Sequence, residues 1–468
     1  MKRNFIITIC LLITYIVNAQ SGYQIRIKTE SLKSDSLFVK IYNVKNKQYT
    51  NLYALKFEND ITIKDKTPLD AGIYVIETDS LTLYEFLISD AKNQKFTISI
   101  LKDDIIVDGN KENSANRAYM KQMLEFDRQL RELDAEFQQL QQKGGAKEML
   151  QPYIDTIILK ANKIFDEKSA YQKKIIAENK GLLLASIIQC SLDLPQPPPD
   201  YYRDRVKLST YMAEHHFDNF PWEDARLLNT PVLYNQFKKF AQQIFQLEPK
   251  SSIPVVTKLL NECKAYPNMY FAIFDFLEHE FGTYKSPYRD ELLYIAMLKD
   301  VLSIPDLEDT RKMRYEYELK RIDKNHAGDA APNFNLLLSN GDTTNLYAIE
   351  ADLLMLYFQN PDCPVCGELR DKMKKMEIVN NAIAANKLKV VTIFFEKNEN
   401  LWRNYLNTRA FNNWIHGWNY DLLIEENHLY DIRTIPMIMF LDKDKKIIKK
   451  DLLSNEIEAW LKRLNLIF

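Results

Sequence analysis

The stretch that decides the fold of the carboxyl-terminal third is Leu353-Leu-Met-Leu-Tyr-Phe-Gln-Asn-Pro-Asp-Cys363-Pro-Val-Cys366. An apolar strand runs into a Cys-x-x-Cys pair that opens a polar helix. A thiol reacts as its thiolate, and a helix N-terminus lowers the pKa of a cysteine because its unpaired N–H groups favour negative charge. Pro364 fits the first turn, where no N–H is needed. We therefore predict Cys363 as an exposed nucleophile at the helix cap and Cys366 as the resolving thiol.

The segments on either side of the pair alternate between strand and helix patterns. Asn340-Gly341, between two apolar runs, predicts a β-hairpin before the Cys-x-x-Cys strand. After the pair the pattern predicts, in order, a helix over 364–384, a strand over 389–395, a helix over 401–408, a strand over 437–441, a hairpin into a strand over 447–451 and a helix over 455–464. A βαβ unit followed by a β-hairpin and a helix is the order of the thioredoxin fold, an α/β class.

A second motif stands just before the strand over 437–441. Thr434-Ile435-Pro436 resembles the cis-proline signature of thioredoxin-like proteins. The resemblance implies that Pro436 faces the dithiol and that Ile435 presents its backbone to an extended substrate. We predict a cis Ile435–Pro436 bond, because bonds to proline are the ones that tolerate cis cheaply. Ile435 and Pro436 are thus the expected substrate-binding residues.

The residues around the cysteines differ from those of related dithiol sites. Tyr357 stands six residues before the first cysteine, where thioredoxins keep a buried carboxylate. Tyrosine is a poor base near neutrality, so that role is vacant or filled by solvent or another side chain. Strong oxidants of this fold carry Pro-His between the cysteines, whereas this chain has Pro364-Val365, with Asp362 beside the first cysteine. A less stabilised thiolate favours a reductase over an oxidase.

A lone Cys-x-x-Cys pair is also half of a zinc site. No second pair completes tetrahedral coordination in this sequence, and His215-His216 and His279 have no convergent ligand spacing. We therefore expect no metal and no other cofactor.

Two regions precede the α/β domain. From residue 23 to about 109, short alternating runs separated by turn residues predict an antiparallel β-sandwich. Beyond residue 113, apolar residues step by four and three along one long helix that Gly144-Gly145 ends. A second helix is expected to fold back on it as an antiparallel hairpin. Core packing between the two helices is the preferred role of their apolar stripes, over a membrane or partner-binding role.

The predicted fold class is therefore multidomain: an N-terminal β-sandwich, a central all-α domain with a long helical hairpin, and a C-terminal α/β thioredoxin-like fold. The predicted bounds are a signal peptide over 1–19, the β-sandwich over 20–110, the helical domain over 111–325 and the thioredoxin-like domain over 326–468. A hinge over 327–333 leads into the last domain.

The first nineteen residues have the pattern of a leader. Lys2 and Arg3 precede an apolar run over 5–17, and a small-residue cleavage signal ends at Ala19. The run is shorter than the ~20 residues of a membrane span, which leaves an uncleaved anchor as the alternative. We predict cleavage near Ala19 and a periplasmic or cell-envelope protein. Removing the two basic residues changes the net charge from −2 to −4, so nothing suggests a nucleic-acid partner.

Export would leave four cysteines in a compartment where disulfides can form. Cys190 and Cys263 lie on apolar helical segments and are predicted to be buried thiols. Whether they bond to each other cannot be deduced from their spacing.

The whole chain resembles a family of exported, multidomain thioredoxin-like proteins from Bacteroidetes. The resemblance lies in Ala331-Pro-Asn-Phe, in Leu356 to Cys366, and in Leu429-Tyr-Asp-Ile-Arg-Thr-Ile-Pro-Met-Ile-Met-Phe-Leu-Asp442. In that family a β-rich domain and a helical domain, both of unknown function, precede a domain similar to TlpA/ResA-type thiol-disulfide oxidoreductases. Residues 211–233 resemble the helical domain.

Two functions remain open from the sequence. One is a cell-envelope dithiol reductase that takes electrons from a membrane donor and reduces disulfides of exported partner proteins. The other is a redox-silent envelope binding or scaffold protein in which a Cys363–Cys366 disulfide is structural. The reductase is preferred, because an exposed helix cap is a poor place for a structural disulfide.

Overall fold

The computed structural model describes residues 22–30, 34–44, 47–143, 147–283, 286–409, 413–450, 452 and 454–464. The predicted signal peptide and Gly144-Gly145 lie outside these residues. The chain divides into two compact units: one extends to Phe281 and includes Ser286–Tyr288, and the other takes Gly282 and continues from Arg289. Among the residues described, no helix is both long and apolar enough to cross a bilayer.

The first unit begins with a β-sandwich of eight strands in the described part of the chain. They are β1 (Tyr23–Thr29), β2 (Ser36–Asn43), β3 (Gln48–Lys56), β4 (Asp60–Asp65), β5 (Gly72–Thr78), β6 (Thr82–Ile88), β7 (Lys95–Ile100) and β8 (Ile105–Asp108). Two four-stranded sheets, in the orders β4-β1-β7-β8 and β3-β2-β5-β6, pack their apolar faces into one core. The predicted sandwich is present.

The expectation that the sandwich is antiparallel throughout was wrong for one pair. β1 and β7 run parallel, with Ile25 opposite Phe96 and Ile27 opposite Ile98. Alternation along a strand fixes which face is buried, and it carries no information about the direction of the neighbour.

The rest of the first unit is helical. Its helices are α1 (Lys111–Lys143), α2 (Lys147–Glu178), α3 (Leu183–Gln189), α4 (Arg205–Glu214), α5 (Pro231–Phe245), α6 (Pro249–Cys263) and α7 (Pro267–Leu277). The long helix and its partner helix are present as α1 and α2, and Tyr119 and Phe126 of α1 pack against Tyr171 of α2.

The second unit contains two helices and an α/β domain. The helices are α8 (Glu291–Leu302) and α9 (Asp309–Ile322). The α/β domain contains β9 (Asn335–Leu338), β10 (Thr343–Asn345), β11 (Leu353–Phe358), α10 (Pro364–Lys374), α11 (Glu377–Ala384), β12 (Leu388–Phe394), α12 (Glu399–Arg409), β13 (Ile415–Trp418), α13 (Leu423–Glu426), β14 (Met437–Asp442), β15 (Ile447–Lys450) and α14 (Ile457–Arg463).

One sheet organises this domain, with strand order β10-β9-β13-β12-β11-β14-β15. β11 pairs parallel with β12 and antiparallel with β14, and all six of its residues are buried. Its side chains alternate between two apolar cores, Leu354 and Leu356 on one face and Met355 and Tyr357 on the other. The strand that leads to the cysteine pair is therefore buried on both of its faces.

The sequence prediction differs from the structure at two places in this domain. The single helix expected over 364–384 is broken after Lys374, where Met376 turns into the core and α11 starts at Glu377. β13 was not predicted, because its four residues are too few to show alternation. Gly417 of β13 is required by close packing, since a Cβ there would lie 2.8 Å from the Leu336 side chain.

Candidate active site

The Cys-x-x-Cys pair lies where β11 meets α10. The Gln359 N–H donates a hydrogen bond to the Ile393 carbonyl at 3.1 Å, which extends the sheet by one residue before the chain turns. In the turn, the Asn360 side-chain oxygen accepts from the Asp362 N–H at 3.0 Å, and its amide contacts the Glu396 carboxylate. These contacts hold the segment that delivers Cys363 to the start of the helix.

Cys363 is the N-cap residue of α10, as predicted. It forms a disulfide with Cys366, and their Cα atoms are 5.2 Å apart. The Cys366 N–H donates to the Cys363 sulfur at 3.2 Å. Cys363 is partly accessible while Cys366 is fully buried, so an incoming sulfur can reach only the first cysteine. Cys363 is thus the more accessible of the two sulfur atoms.

The residues that flank the pair face solvent. Asp362 and Pro364 are exposed, and Val365 is 58% exposed. Pro364 occupies the first position of α10 as expected. A substitution at Val365 can therefore change the chemistry of the pair without disturbing a core.

The cis-proline motif meets the dithiol in space. The Ile435–Pro436 peptide is cis, which confirms that prediction. The Cys363 sulfur lies 3.9 Å from the Ile435 carbonyl oxygen, although the residues are 72 positions apart. Pro436 immediately precedes β14, whose Met437 pairs with Phe358 at the end of β11. The Cys-x-x-Cys motif and the cis-proline motif thus meet at the same end of two neighbouring interior strands.

Tyr357 is the second-last residue of the strand β11, and it contacts the helix turn that bears Cys366. Its side chain is fully buried, and its hydroxyl donates a 2.5 Å hydrogen bond to the Cys366 main-chain carbonyl. Burial raises the pKa of this hydroxyl well above its usual range. Tyr357 is therefore a neutral donor that supports the first turn of α10, and it cannot replace the base function of a carboxylate.

Arg370 is a buried charged residue of α10 that was not predicted from the sequence. It is 6% exposed, and it lies four residues after Cys366 on the same face of α10. Its Nη2 lies 3.5 Å from the point that a Cβ on Gly367 would occupy, and its guanidinium carbon lies 5.8 Å from the centre of the Tyr405 ring. Its Nε contacts the carboxylate of Asp371, which is 63% exposed, at 3.2 Å. A cation is thus buried beside the turn that bears Cys366.

Three buried side chains with polar groups, Thr392, Tyr405 and His416, form a row that begins next to Arg370. Thr392 Oγ1 lies 2.8 Å from His416 Nδ1, and the Tyr405 hydroxyl lies 3.3 Å from the same nitrogen. Burial raises the pKa of Tyr405. The one signal for this row in the sequence is the polar Thr392 between the apolar residues Val391 and Ile393.

Other candidate chemistry is not assembled. In the part of the chain that the structure describes, no group of three or more His, Cys, Asp or Glu side chains could hold a metal. Cys190 and Cys263 carry thiols and are not joined by a disulfide. Cys263 is buried as predicted, but the prediction was wrong for Cys190, which is only partly buried because it lies at the C-cap of α3. The Cys263 thiol donates to the Leu260 carbonyl at 3.4 Å.

Comparisons with known proteins agree with this geometry. Residues 351–447 match a family model described as thioredoxin-like. The carboxyl-terminal domain is thioredoxin-like. Residues 160–325 match a domain of unknown function, DUF5106, so the chain is a multidomain protein. The thioredoxin-like match, on a domain that carries a Cys-x-x-Cys pair, supports a redox function in general.

Solved structures from Bacteroides species are similar to this chain. A thioredoxin-like protein from Bacteroides caccae is 27% identical, and the similarity covers 58% of this chain and 98% of that one with a TM-score of 0.54. The C-terminal domain of an uncharacterized protein from Bacteroides fragilis is 33% identical over 30% of this chain and 98% of that one, with a TM-score of 0.29. The thioredoxin domain of a thiol-disulfide oxidoreductase from Bacteroides vulgatus is 17% identical over 30% of this chain and 99% of that one, with a TM-score of 0.27. No curated protein matches the sequence.

Proposed function

We propose that this protein is a cell-envelope thiol-disulfide oxidoreductase that reduces disulfides of exported proteins through Cys363 and Cys366. One observation carries the proposal: the partly accessible Cys363 sulfur lies at the N-terminus of α10 and 3.9 Å from the Ile435 carbonyl beside Pro436. An extended substrate whose main chain runs beside Ile435 would bring its own sulfur to Cys363.

The reaction starts from the dithiol form. The Cys363 thiolate attacks one sulfur of the substrate disulfide, forms a mixed disulfide and releases the other substrate sulfur as a thiolate. The Cys366 thiolate then attacks the Cys363 sulfur, which forms the Cys363–Cys366 disulfide and releases the second substrate thiolate. Two electrons and two protons pass to the substrate in total. A membrane electron donor must return two electrons to the protein for the next turnover.

The cell-envelope location rests on the leader pattern over 1–19 alone. In an exported protein, a reductase acts against an oxidising surrounding, so a dedicated electron donor is required. We propose that this donor is a membrane protein and that the substrates are exported proteins with disulfides.

The preference for reduction follows from the charges around Cys363. The helix N-terminus stabilises a thiolate by about 1 kcal/mol or less in an exposed setting. Val365 supplies no charge or hydrogen bond, and the carboxylate of Asp362 opposes the thiolate. The buried Arg370 guanidinium has the opposite effect, because its positive charge stabilises a thiolate. We therefore expect a reducing to intermediate potential, below that of the Pro-His oxidants of this fold.

Insulin reduction tests the proposal. Mature wild-type protein, kept reduced by dithiothreitol, should accelerate the precipitation of the insulin B chain, and Cys363→Ser should not. A Cys190→Ser variant is the matched control, because it removes a thiol outside the site and should retain the activity. Equal rates for wild type and Cys363→Ser would favour the alternative, a scaffold with a structural disulfide.

A further inference from the structure

The loop that leads to the cis-proline is tied to α9 by polar contacts. We call residues 428–435 the approach loop, because it ends at Ile435, whose carbonyl faces Cys363. Lys324 Nζ donates to the His428 carbonyl at 2.5 Å, and Asn325 Nδ2 donates to the Leu429 carbonyl at 3.2 Å. Both donors lie just after α9 and more than a hundred positions earlier in the sequence.

Asp431 is the centre of these contacts. Its side chain is completely buried, and its Oδ2 accepts a hydrogen bond from Arg433 Nε at 2.8 Å. Its Oδ1 lies 3.6 Å from Arg321 Nε on α9, which is an ion pair without a hydrogen bond. Its main-chain N–H donates to the Asn325 side-chain oxygen at 3.1 Å. A buried carboxylate is tolerated only with such partners, and removing one partner leaves an uncompensated charge.

The two arginines are held in turn. The Arg321 guanidinium also binds Glu318, one turn earlier on α9, at 2.6 Å. Arg433, whose side chain is 9% exposed, donates to the Gly282 carbonyl at 3.4 Å. Asp431 therefore fixes the approach loop from two sides, four residues before the carbonyl that faces the Cys363 sulfur.

The segment after α9 is also fixed to the α/β domain. The Gly328 and Ala331 N–H groups donate to the Ile447 and Lys445 carbonyls at 2.8 and 2.9 Å. Lys450 Nζ binds the Glu291 carboxylate of α8 at 2.8 Å. α8 and α9 are thus held against the β14–β15 side of the domain, and the approach loop is held against α9.

We propose that Asp431, hydrogen-bonded to Arg433 and ion-paired with Arg321, is a positioning residue that fixes the Ile435–Pro436 backbone for docking of an extended protein substrate. The inference rests on the proposed function. It gives a role to the end of the region that matches DUF5106, which finishes at residue 325 and supplies Arg321, Lys324 and Asn325. Substrate binding by the thioredoxin-like domain then depends on α9.

A comparison of two substrates with the full mature chain tests this role. Insulin needs the Ile435 backbone for docking, whereas a small aromatic disulfide such as dithiobis(nitrobenzoate) needs only the Cys363 sulfur. Asp431→Asn keeps the shape and removes the charge. Because a misplacement of about 1 Å can cost up to a hundredfold in rate, we expect about a tenfold loss of kcat/KM on insulin, mostly through KM. Its rate with the small disulfide and its redox equilibrium with glutathione should stay within about twofold of wild type.

Two further variants keep the test decisive. Lys324→Met removes one contact at a partly exposed site, so it should fold even if Asp431→Asn does not, and we expect about a threefold loss on insulin alone. Met313→Ala on α9, at a side chain that is 71% exposed, is the matched control and should behave as wild type. Equal losses on both substrates, or no loss with either variant, would overturn the positioning role. A wild-type protein that reduces neither disulfide would overturn the proposed function, and the inference with it.

Discussion

The Tyr357 hydroxyl donates a 2.5 Å hydrogen bond to the carbonyl of Cys366, the second cysteine of the pair. The donor comes from the end of β11 and the acceptor from the first turn of α10, so the bond joins the central strand to the helix that carries the dithiol. The position six residues before Cys363 therefore supports the helix here, instead of accepting a proton.

Replacing Tyr357 by Phe tests whether this residue is structural or titrates. We expect Tyr357→Phe to lower the free energy of unfolding by about 1 kcal/mol, the usual value of one hydrogen bond. Because burial keeps the hydroxyl protonated, the pH profile of insulin reduction between pH 6 and 9 should keep its shape. Urea unfolding measures the free energy of unfolding, and initial rates of insulin reduction measure the pH profile. A profile that loses an inflection in Tyr357→Phe would show that the hydroxyl does transfer a proton.

The two cysteines should differ in their ability to trap a partner. Cys363 is partly accessible and Cys366 is fully buried. Cys366→Ser can form the mixed disulfide and cannot resolve it, so it should accumulate covalent complexes with insulin chains on non-reducing gels. Cys363→Ser should form none. Trapping by Cys363→Ser alone would reverse the two roles.

The other two thiols should be inert in the native protein. Burial raises the pKa of the Cys190 thiol to about 12, so its thiolate is scarce at pH 8, and Cys263 is fully buried. Reduced native protein treated with iodoacetamide should be labelled at Cys363, and Cys190 and Cys263 should react only after denaturation. Peptide mass spectrometry reports each site. Cys190 is partly accessible, so fast labelling at pH 8 would contradict the raised pKa of its thiol.

The sequence predicted the site where the residues that carry it lie in strongly patterned elements. The Leu353–Phe358 strand, the cap cysteine and Pro436 all have local signatures, and the resemblance to the cis-proline signature of thioredoxin-like proteins implied that Cys363 and Pro436 would meet. Local patterns also predicted the β-sandwich and the helical hairpin. The parallel pairing of β1 with β7 has no local signature, because the hydrogen-bonding neighbour is far along the chain.

The groups that the sequence reasoning missed are defined by tertiary contacts. Arg370 lies among Lys and Asp residues on a helix that looks amphipathic, where an exposed arginine is the ordinary expectation. Asp431 sits in a loop and is buried only because Arg321 and Arg433 compensate it. Burial of a charge depends on partners that fold next to it, and spacing along the chain cannot reveal them.

A histidine between the cysteines should make the protein more oxidising. Val365 is 58% exposed, so Val365→His places an imidazole beside Cys363 without disturbing packing. A protonated or hydrogen-bonding imidazole stabilises the thiolate, and with it the reduced form. We expect the potential to rise by about 30 mV or more, where 30 mV corresponds to about 1.4 kcal/mol. Glutathione titration measures it, with Val365→Ala as the control. A wild-type potential that is already as oxidising as those of the Pro-His oxidants would contradict the assignment as a reductase.

Removing the buried cation should have the opposite effect. The Arg370 guanidinium lies beside the turn that bears Cys366, where it favours a thiolate over a neutral thiol or a disulfide. Arg370→Met replaces the aliphatic stem of the side chain and removes the charge, so the reduced form loses stabilisation. We expect the potential to become more negative by about 30 mV, equivalent to about 1.4 kcal/mol.

Two variants separate charge from packing at this position. Arg370→Lys keeps the cation and should keep most of the wild-type potential, although it loses the contact of the planar guanidinium with Tyr405. Asp371→Asn removes the solvent-exposed carboxylate near Arg370 and should change the potential little, because solvent screens that pair. If Arg370→Lys and Arg370→Met shift the glutathione equilibrium equally, Arg370 acts through packing. An unchanged equilibrium in Arg370→Met would mean that the buried guanidinium has no influence on the dithiol, and that the helix N-terminus alone sets the stability of the thiolate.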